Sequence, residues 1–188
     1  IAFDLDFDFW TTVSKDTVYD ESIGLEIYAE SDYPFRAATI VDHVVMACTE
    51  EGMLYAMPED DLSNTSLVAD IGLILDDMAY NAADGMVYGI YEGGTLVSID
   101  KLTGETKYLG YLEIFSNPLA CDENGTFYCN ELDTGAVYAF TLDTLELTPV
   151  VDAIMIDGQE MRTQYEQSME INPNNGMLCW TSYSIDPE

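Results

Sequence analysis

A short pattern recurs four times along the chain: a turn that ends in glycine leads into a strand of apolar and aromatic residues. The four glycines lie 33, 40 and 51 residues apart. Spacings of this length are typical of repeat architectures such as propellers and solenoids, in which neighbouring repeats cover one another's apolar faces. The four copies are Glu51–Tyr55, Asp84–Tyr88, Asn124–Tyr128 and Asn175–Cys179.

The second and third copies each predict four short strands joined by tight turns. The turns contain Asp-Gly, Gly-Gly and Thr-Gly, in which glycine supplies the positive φ of a hairpin. Four antiparallel strands with short turns make one propeller blade. The predicted fold is therefore all-β, a β-propeller of four-stranded antiparallel blades; an all-β sandwich with regular turns is the alternative. The strands are predicted over 78–81, 86–91, 95–100 and 106–112, and over 119–121, 126–130, 136–141 and 146–151.

The outer copies are irregular. The fourth strand of the first copy begins at Ser66, 14 residues after Gly52, whereas that of the second copy begins at Thr106, 21 residues after Gly85. The shorter distance predicts a shortened hairpin in the first blade. The last copy is short as well, so we expect a partial or irregular ring within one domain over 1–188. The blade-like units are predicted at about 41–72, 73–114, 115–157 and 158–188, with strands of uncertain assignment over 1–40.

Charge is the exceptional feature of the composition. Five Lys plus Arg against 36 Asp plus Glu give 5 − 36 = −31. Repulsion from phosphates then argues against nucleic acid and anionic membranes as partners. Hydrophobic residues still make up 48% of the chain, which argues against disorder. The sequence has no run of 18 apolar residues, so we expect no membrane insertion.

Four cysteines, Cys48, Cys121, Cys129 and Cys179, are predicted to lie in strands. Cys121 and Cys129 flank one hairpin but are not opposite in either register considered, in which Cys121 faces Thr126 or Tyr128. Buried free thiols are favoured over a disulfide, although the sequence leaves both open. A zinc site is not expected, because Cys-x-x-Cys is absent and the chain has a single histidine.

Two segments are candidates for a site. Asp4, Asp6 and Asp8 alternate with apolar residues over 1–10, which fits a solvated strand face better than a calcium loop. No cofactor is therefore predicted, and calcium is the one ion considered. The second segment is a polar insertion of about 11 residues over 157–167, on the face of a propeller where ligands usually enter. Long polar loops often carry function, and the predicted binding residues are Arg162, Gln164, Tyr165 and Glu166.

Residues 41–188 resemble a known class of proteins. The segments Tyr80–Tyr88 and Leu96–Glu105 resemble blades of secreted bacterial propellers of the quinoprotein-like and NHL-like type. Gln167–Trp180 is similar to repeats in large cell-surface proteins of gut anaerobes. The resemblance implies an extracellular adhesion or binding module beside further domains of a larger surface protein. The ligands of quinone-dependent dehydrogenases match no positions here, so that activity does not transfer.

Three functions follow as hypotheses. The first is an extracellular binding module for a carbohydrate, a peptide or a host glycoprotein. The second is a carboxylate-based glycoside hydrolase or lyase, although no nucleophile or phosphate-binding motif occurs, and the third is a structural spacer. An enzyme should show buried carboxylates with raised pKa values near the channel, whereas a binder should show exposed aromatic residues on one face.

Overall fold

The computed structural model describes residues 17–20, 25–28, 35–152, 155–156, 159–160, 167–172 and 175–181. Every regular element in these ranges is a β-strand. The strands are β1 Thr17–Asp20, β2 Leu25–Tyr28, β3 Phe35–Val41, β4 Val44–Thr49, β5 Met53–Pro58, β6 Ser66–Asp70, β7 Asp77–Asn81, β8 Met86–Tyr91, β9 Thr95–Ile99, β10 Thr106–Tyr111, β11 Ala120–Cys121, β12 Phe127–Asn130, β13 Val137–Phe140, β14 Thr148–Val151, β15 Met155–Ile156, β16 Gln159–Glu160, β17 Ser168–Ile171 and β18 Leu178–Thr181.

Three four-stranded antiparallel sheets follow one another along the chain. Sheet 1 is β3-β4-β5-β6, sheet 2 is β7-β8-β9-β10 and sheet 3 is β11-β12-β13-β14. Sheet 4, as described, is the pair β17-β18, and β1-β2 and β15-β16 are separate hairpins. The first strands of the four sheets, β3, β7, β11 and β17, contact one another and are the innermost strands. The predicted strands of sheets 2 and 3 are confirmed.

Sheet 1 corrects one prediction from the sequence. Aligning the four repeats on their glycines predicted that Gly52 follows the first strand of its sheet. In the structure, Gly52 instead joins the second strand β4 to the third strand β5. The first hairpin turns at Asp42 and His43, with φ of 49° and 67°. Because two residues other than glycine adopt the left-handed conformation there, the turn lacked the glycine signal. The first sheet is thus a complete four-stranded sheet, and the expected shortened hairpin is wrong.

Apolar side chains fill the spaces between neighbouring sheets. Leu54, Met78 and Val87 are fully buried in the cluster between sheets 1 and 2. A second cluster between sheets 2 and 3 centres on Phe127, whose ring lies 5.0 Å from Tyr88 and 5.4 Å from Phe140, centroid to centroid. The sheets therefore pack face to face around the inner strands, each covering the next.

All four cysteines are free thiols. Cys48, Cys121 and Cys129 are buried, as the preferred hypothesis for the sequence held, and Cys179 is half-buried. Cys121 pairs with Phe127, between the two registers considered from the sequence. Burial raises the pKa of Cys48 to about 11 and that of Cys129 to about 12. These two thiols are protonated at neutral pH and act as small apolar groups.

Candidate functional site

The predicted binding residues Arg162, Gln164, Tyr165 and Glu166 lie outside the described residues, as do Asp4, Asp6 and Asp8. The last residue of the predicted loop, Gln167, is described and is buried where the chain enters β17. Its Oε1 accepts hydrogen bonds from Asn130 Nδ2 and Trp180 Nε1, each at 2.9 Å. Gln167 is thus joined to sheets 3 and 4 at the starting end of the inner strands.

A pocket of about 940 Å³ lies at the opposite end of the inner strands. It forms where the hairpins that join the first and second strands of all four sheets meet. Each hairpin contributes a turn, and these turns contain Asp42, Ala82, Asp122 and Asn175. Each of these turns is a short connection between two adjacent strands of one sheet. The pocket is therefore formed by the ends of the sheets rather than by a long loop.

The pocket lining is strongly acidic. Five carboxylates face it and, among the described residues that line it, no Lys or Arg does. Low-dielectric walls that carry one sign of charge concentrate counterions and cationic ligands. Apolar and polar neutral groups such as Ile40, Ile171 and Asn172 complete the wall. The five carboxylates belong to Asp42, Glu59, Asp122, Glu123 and Glu170.

Glu170 is one of the two half-buried acids of the pocket. It lies in β17 opposite Cys179 of β18, and its burial raises its pKa to about 7. Burial raises the pKa of Cys121 on the neighbouring strand β11 to about 12, with a smaller contribution from the charge of Glu170. Near neutral pH, therefore, the charge of Glu170 depends on pH and on any cation that enters the pocket.

The rim of the pocket already shows how the chain binds a cation. Lys101 Nζ lies 2.9 Å from Asp42 Oδ2 and 4.9 Å from the centroid of the Tyr80 ring. The hydrogen bond and charge of Lys101 lower the pKa of Asp42. A carboxylate beside an aromatic face is an arrangement that favours cations. Nearby, His43 Nδ1 lies 2.9 Å from Glu59 Oε2.

A second buried carboxylate, Asp77, joins three sheets. Its Oδ2 accepts the backbone N–H groups of Leu119 and Met169, both at 3.0 Å, from sheets 3 and 4. Its Oδ1 accepts the N–H of Met78 and the hydroxyl of Ser168. Burial raises the pKa of Asp77 to about 7, and the backbone N–H groups lower it only in part. With both oxygens occupied by the protein, Asp77 holds the fold together and is not available to a ligand.

Among the residues that the structure describes, no group of three or more His, Cys, Asp or Glu side chains is arranged to hold a metal ion. The same part of the chain contains no helix long and apolar enough to cross a membrane. Calcium binding stays a prediction.

The sequence did not predict the pocket, because its acids come from three separate turns and one strand among 36 carboxylates. The one available signal was position in the repeat. Asp122 occupies the turn after the first strand of sheet 3, and Glu170 lies in the first strand of sheet 4. Aligning the sheets on their first hairpins brings these positions to one end, but that alignment fails in sheet 1, where the turn lacks glycine.

Comparisons with known proteins show the fold. No protein-family model matches the chain, and no curated protein matches it in sequence. The structure of a Bacteroides thetaiotaomicron VPI-5482 protein of unknown function matches with a TM-score of 0.58 at 14% identity, covering 92% of this chain and 43% of that one. The nidogen/laminin complex matches with a TM-score of 0.60 at 10% identity, covering 89% and 66%.

The protein is a β-propeller. Its neighbours in structure are β-propeller proteins, and its own sheets have the predicted four-stranded antiparallel topology. Virginiamycin B lyase from Staphylococcus aureus also matches, with a TM-score of 0.48 at 12% identity over 83% of this chain and 57% of that one. The chain spans less than two thirds of the length of each of these neighbours.

Proposed function

We propose that this propeller is a protein-binding module whose acidic pocket receives a Lys or Arg side chain from a basic segment of its partner. The observation that carries the proposal is the pocket of about 940 Å³ with five carboxylates and no Lys or Arg in its described lining. A propeller in complex with another protein, the nidogen/laminin complex, supports protein binding in general. Because its net charge is −31, the chain attracts basic partners over long distances.

Glu170 makes the binding depend on pH. Because burial raises the pKa of Glu170 towards neutral pH, its carboxylate gains negative charge as pH rises through the neutral range. A cation in the pocket is attracted only by the ionised form. Affinity for a basic segment should therefore rise between pH 6 and pH 8, whereas exposed carboxylates are ionised throughout this range.

The experiment measures fluorescence anisotropy of a labelled hexalysine peptide. At pH 8 we expect Glu170→Gln to weaken binding about fivefold, or about 1 kcal/mol, and to remove the increase between pH 6 and pH 8. The matched control is Glu51→Gln, which removes one negative charge from an exposed turn at the other end of the strands. An equal loss of affinity in both variants would show that binding depends only on net charge. That result would contradict specific binding in the pocket.

A carboxylate-based glycoside hydrolase is the second candidate. One observation favours it: Glu170 has the raised pKa of a general acid and shares the pocket with other carboxyl groups. Release of nitrophenol from a panel of nitrophenyl glycosides tests it. Hydrolysis that Glu170→Gln abolishes would establish the enzyme, and no release above the rate in buffer would remove this candidate.

The remaining proposals concern further contact surfaces, the location of the protein and its neighbouring domains. Two exposed tyrosines, Tyr108 and Tyr111 of β10, fit the aromatic surface expected of a binder for carbohydrate or protein. We propose that Arg162 and Tyr165 add a second contact to the ligand. An extracellular location, neighbouring domains of a larger surface protein and a glycosylated ligand are proposals that rest on the sequence resemblance.

A further inference from the structure

Lys101 reaches from sheet 2 to the edge of the acidic pocket and occupies a small cation site there. Its Nζ donates a hydrogen bond to Asp42 Oδ2 at 2.9 Å and lies 3.4 Å from the Tyr80 hydroxyl oxygen. The same ammonium group is 4.9 Å from the centroid of the Tyr80 ring. Asp42 and Tyr80 line the pocket, whereas Lys101 belongs to the turn between β9 and β10. A carboxylate and an aromatic face thus hold a cation that comes from another part of the chain.

The two groups that bind the ammonium are fixed by the fold, but the ammonium itself is open to solvent. Asp42 lies in the tight turn between β3 and β4, with φ of 49°, and Tyr80 packs against the cluster between sheets 1 and 2. The side chain of Asp42 is 71% exposed and that of Lys101 29% exposed. Ion pairs that water reaches contribute little to stability, because water solvates the separated charges well. The ammonium group can therefore leave Asp42 at a small cost in free energy.

The repeat shows that the fold does not require a cation at this position. Gly104 and Leu145 end equivalent turns in sheets 2 and 3: their φ values are 70° and 56°, and each N–H donates to the carbonyl oxygen four residues earlier. Each also lies over a β-bulge in the fourth strand of the preceding sheet. Aligned on these turns, Lys101 corresponds to Leu142, which packs against the cluster between sheets 2 and 3. The same backbone therefore accepts an apolar residue where sheet 2 has lysine.

We propose that Asp42 and Tyr80 form a subsite for a primary ammonium group, and that a lysine of the partner enters it by displacing Lys101. This inference rests on the proposed function and extends it, because the basic segment gains a second anchoring point beside the other carboxylates of the pocket. The form that binds is the one in which Lys101 has left Asp42. The apparent affinity is therefore reduced by the fraction of molecules in which the pair is intact. Lys101 acts as an internal competitor for the site.

The experiment follows Lys101 directly, by NMR of the whole chain with isotopically labelled lysine. The chain has three lysines, Lys15, Lys101 and Lys107. The Tyr80 ring should shift the ε-CH₂ signal of Lys101 away from that of the exposed Lys107. Unlabelled hexalysine at saturation should move the Lys101 signal to the position of the Lys107 signal. The n-butylammonium ion, which carries the amine of a lysine side chain without a peptide, should do the same at constant ionic strength.

Affinity supplies a second measurement. Lys101→Ala should strengthen the binding of both ligands about threefold, because the subsite is then always open. Adding Asp42→Asn to this variant should remove the gain. The matched control is Lys107→Ala, which removes the same charge from an exposed position of β10 in the same sheet. It should strengthen binding only slightly.

Three results separate this subsite from the proposed function. A Lys101 signal that neither ligand moves would overturn the subsite, and the proposed function would still stand if hexalysine shifts the amides around Glu170. Equal gains in Lys101→Ala and Lys107→Ala would also overturn the subsite, because net charge would then account for both. If butylammonium displaces Lys101 while hexalysine does not bind the pocket, the subsite is supported and the proposed function is contradicted.

Discussion

Asp77 is the residue on which the arrangement of the inner strands depends. Its two oxygens receive four donors from sheets 2, 3 and 4. In Asp77→Asn one oxygen becomes an NH₂ group that faces two of those donors. We expect a loss of about 2–4 kcal/mol in the free energy of unfolding, measured by urea denaturation. Asp133→Asn, an exposed control, should change it by about 0.5 kcal/mol or less; equal effects would contradict the role of Asp77.

Glu170 and Asp77 also predict how stability depends on pH. Burial raises the pKa of each to about 7, above the unfolded value. Their contribution to stability is therefore complete below about pH 4 and is lost as pH rises through 7. The melting temperature should fall between pH 5.5 and pH 8.5. Glu170→Gln should flatten this slope, whereas Glu123→Gln, at the same pocket, should leave it unchanged.

At the scale of the elements, the turn before the fourth strand and the bulge it covers form a matched pair. Sheets 1 and 2 pair Ala69 with Gly104, and sheets 2 and 3 pair Gly110 with Leu145. Gly110→Ala alone should destabilise the fold by about 1 kcal/mol, because the new methyl group displaces the end of the Leu145 side chain. Adding Leu145→Gly recreates the Ala–Gly pair and relieves the strained φ at Leu145, so the double variant should recover most of the loss.

A double-mutant cycle by chemical denaturation measures this coupling. Leu145→Gly alone should be destabilising, because it leaves space over Gly110 that no side chain fills. Additive losses in the double variant would show that the two positions do not contact each other in solution.

The strands and turns also show how much of the structure the sequence could predict. Turns located all eight strands of sheets 2 and 3, and each of these turns except the last, 142–145, contains glycine. In sheet 1 the same signal pointed to the wrong hairpin, since Asp42 and His43 adopt positive φ without glycine. The pocket could not be predicted, because no local motif distinguishes Glu170 or Asp122 from the other acids. What brings them together is the contact among β3, β7, β11 and β17, which is a property of the fold.

For the whole molecule, the net charge of −31 determines how stability and the binding of basic peptides depend on salt. Repulsion among surface carboxylates opposes the compact state, and dissolved ions screen it. The melting temperature should rise by several degrees between about 10 mM and 500 mM sodium chloride. Binding of a basic peptide should weaken over the same range. A melting temperature independent of salt would mean that the charges are too dispersed to affect stability.

We expect the end of the inner strands that carries the acidic pocket to bind a basic segment. The most direct measurement is an NMR titration of the whole chain with hexalysine at pH 8. We expect amide shifts concentrated in the first-hairpin turns at Asp42–His43 and Asp122–Asn124 and around Glu170. Shifts concentrated instead in the second-hairpin turns at Glu51–Gly52 and Glu92–Gly94, or spread evenly over the acidic surface, would contradict it.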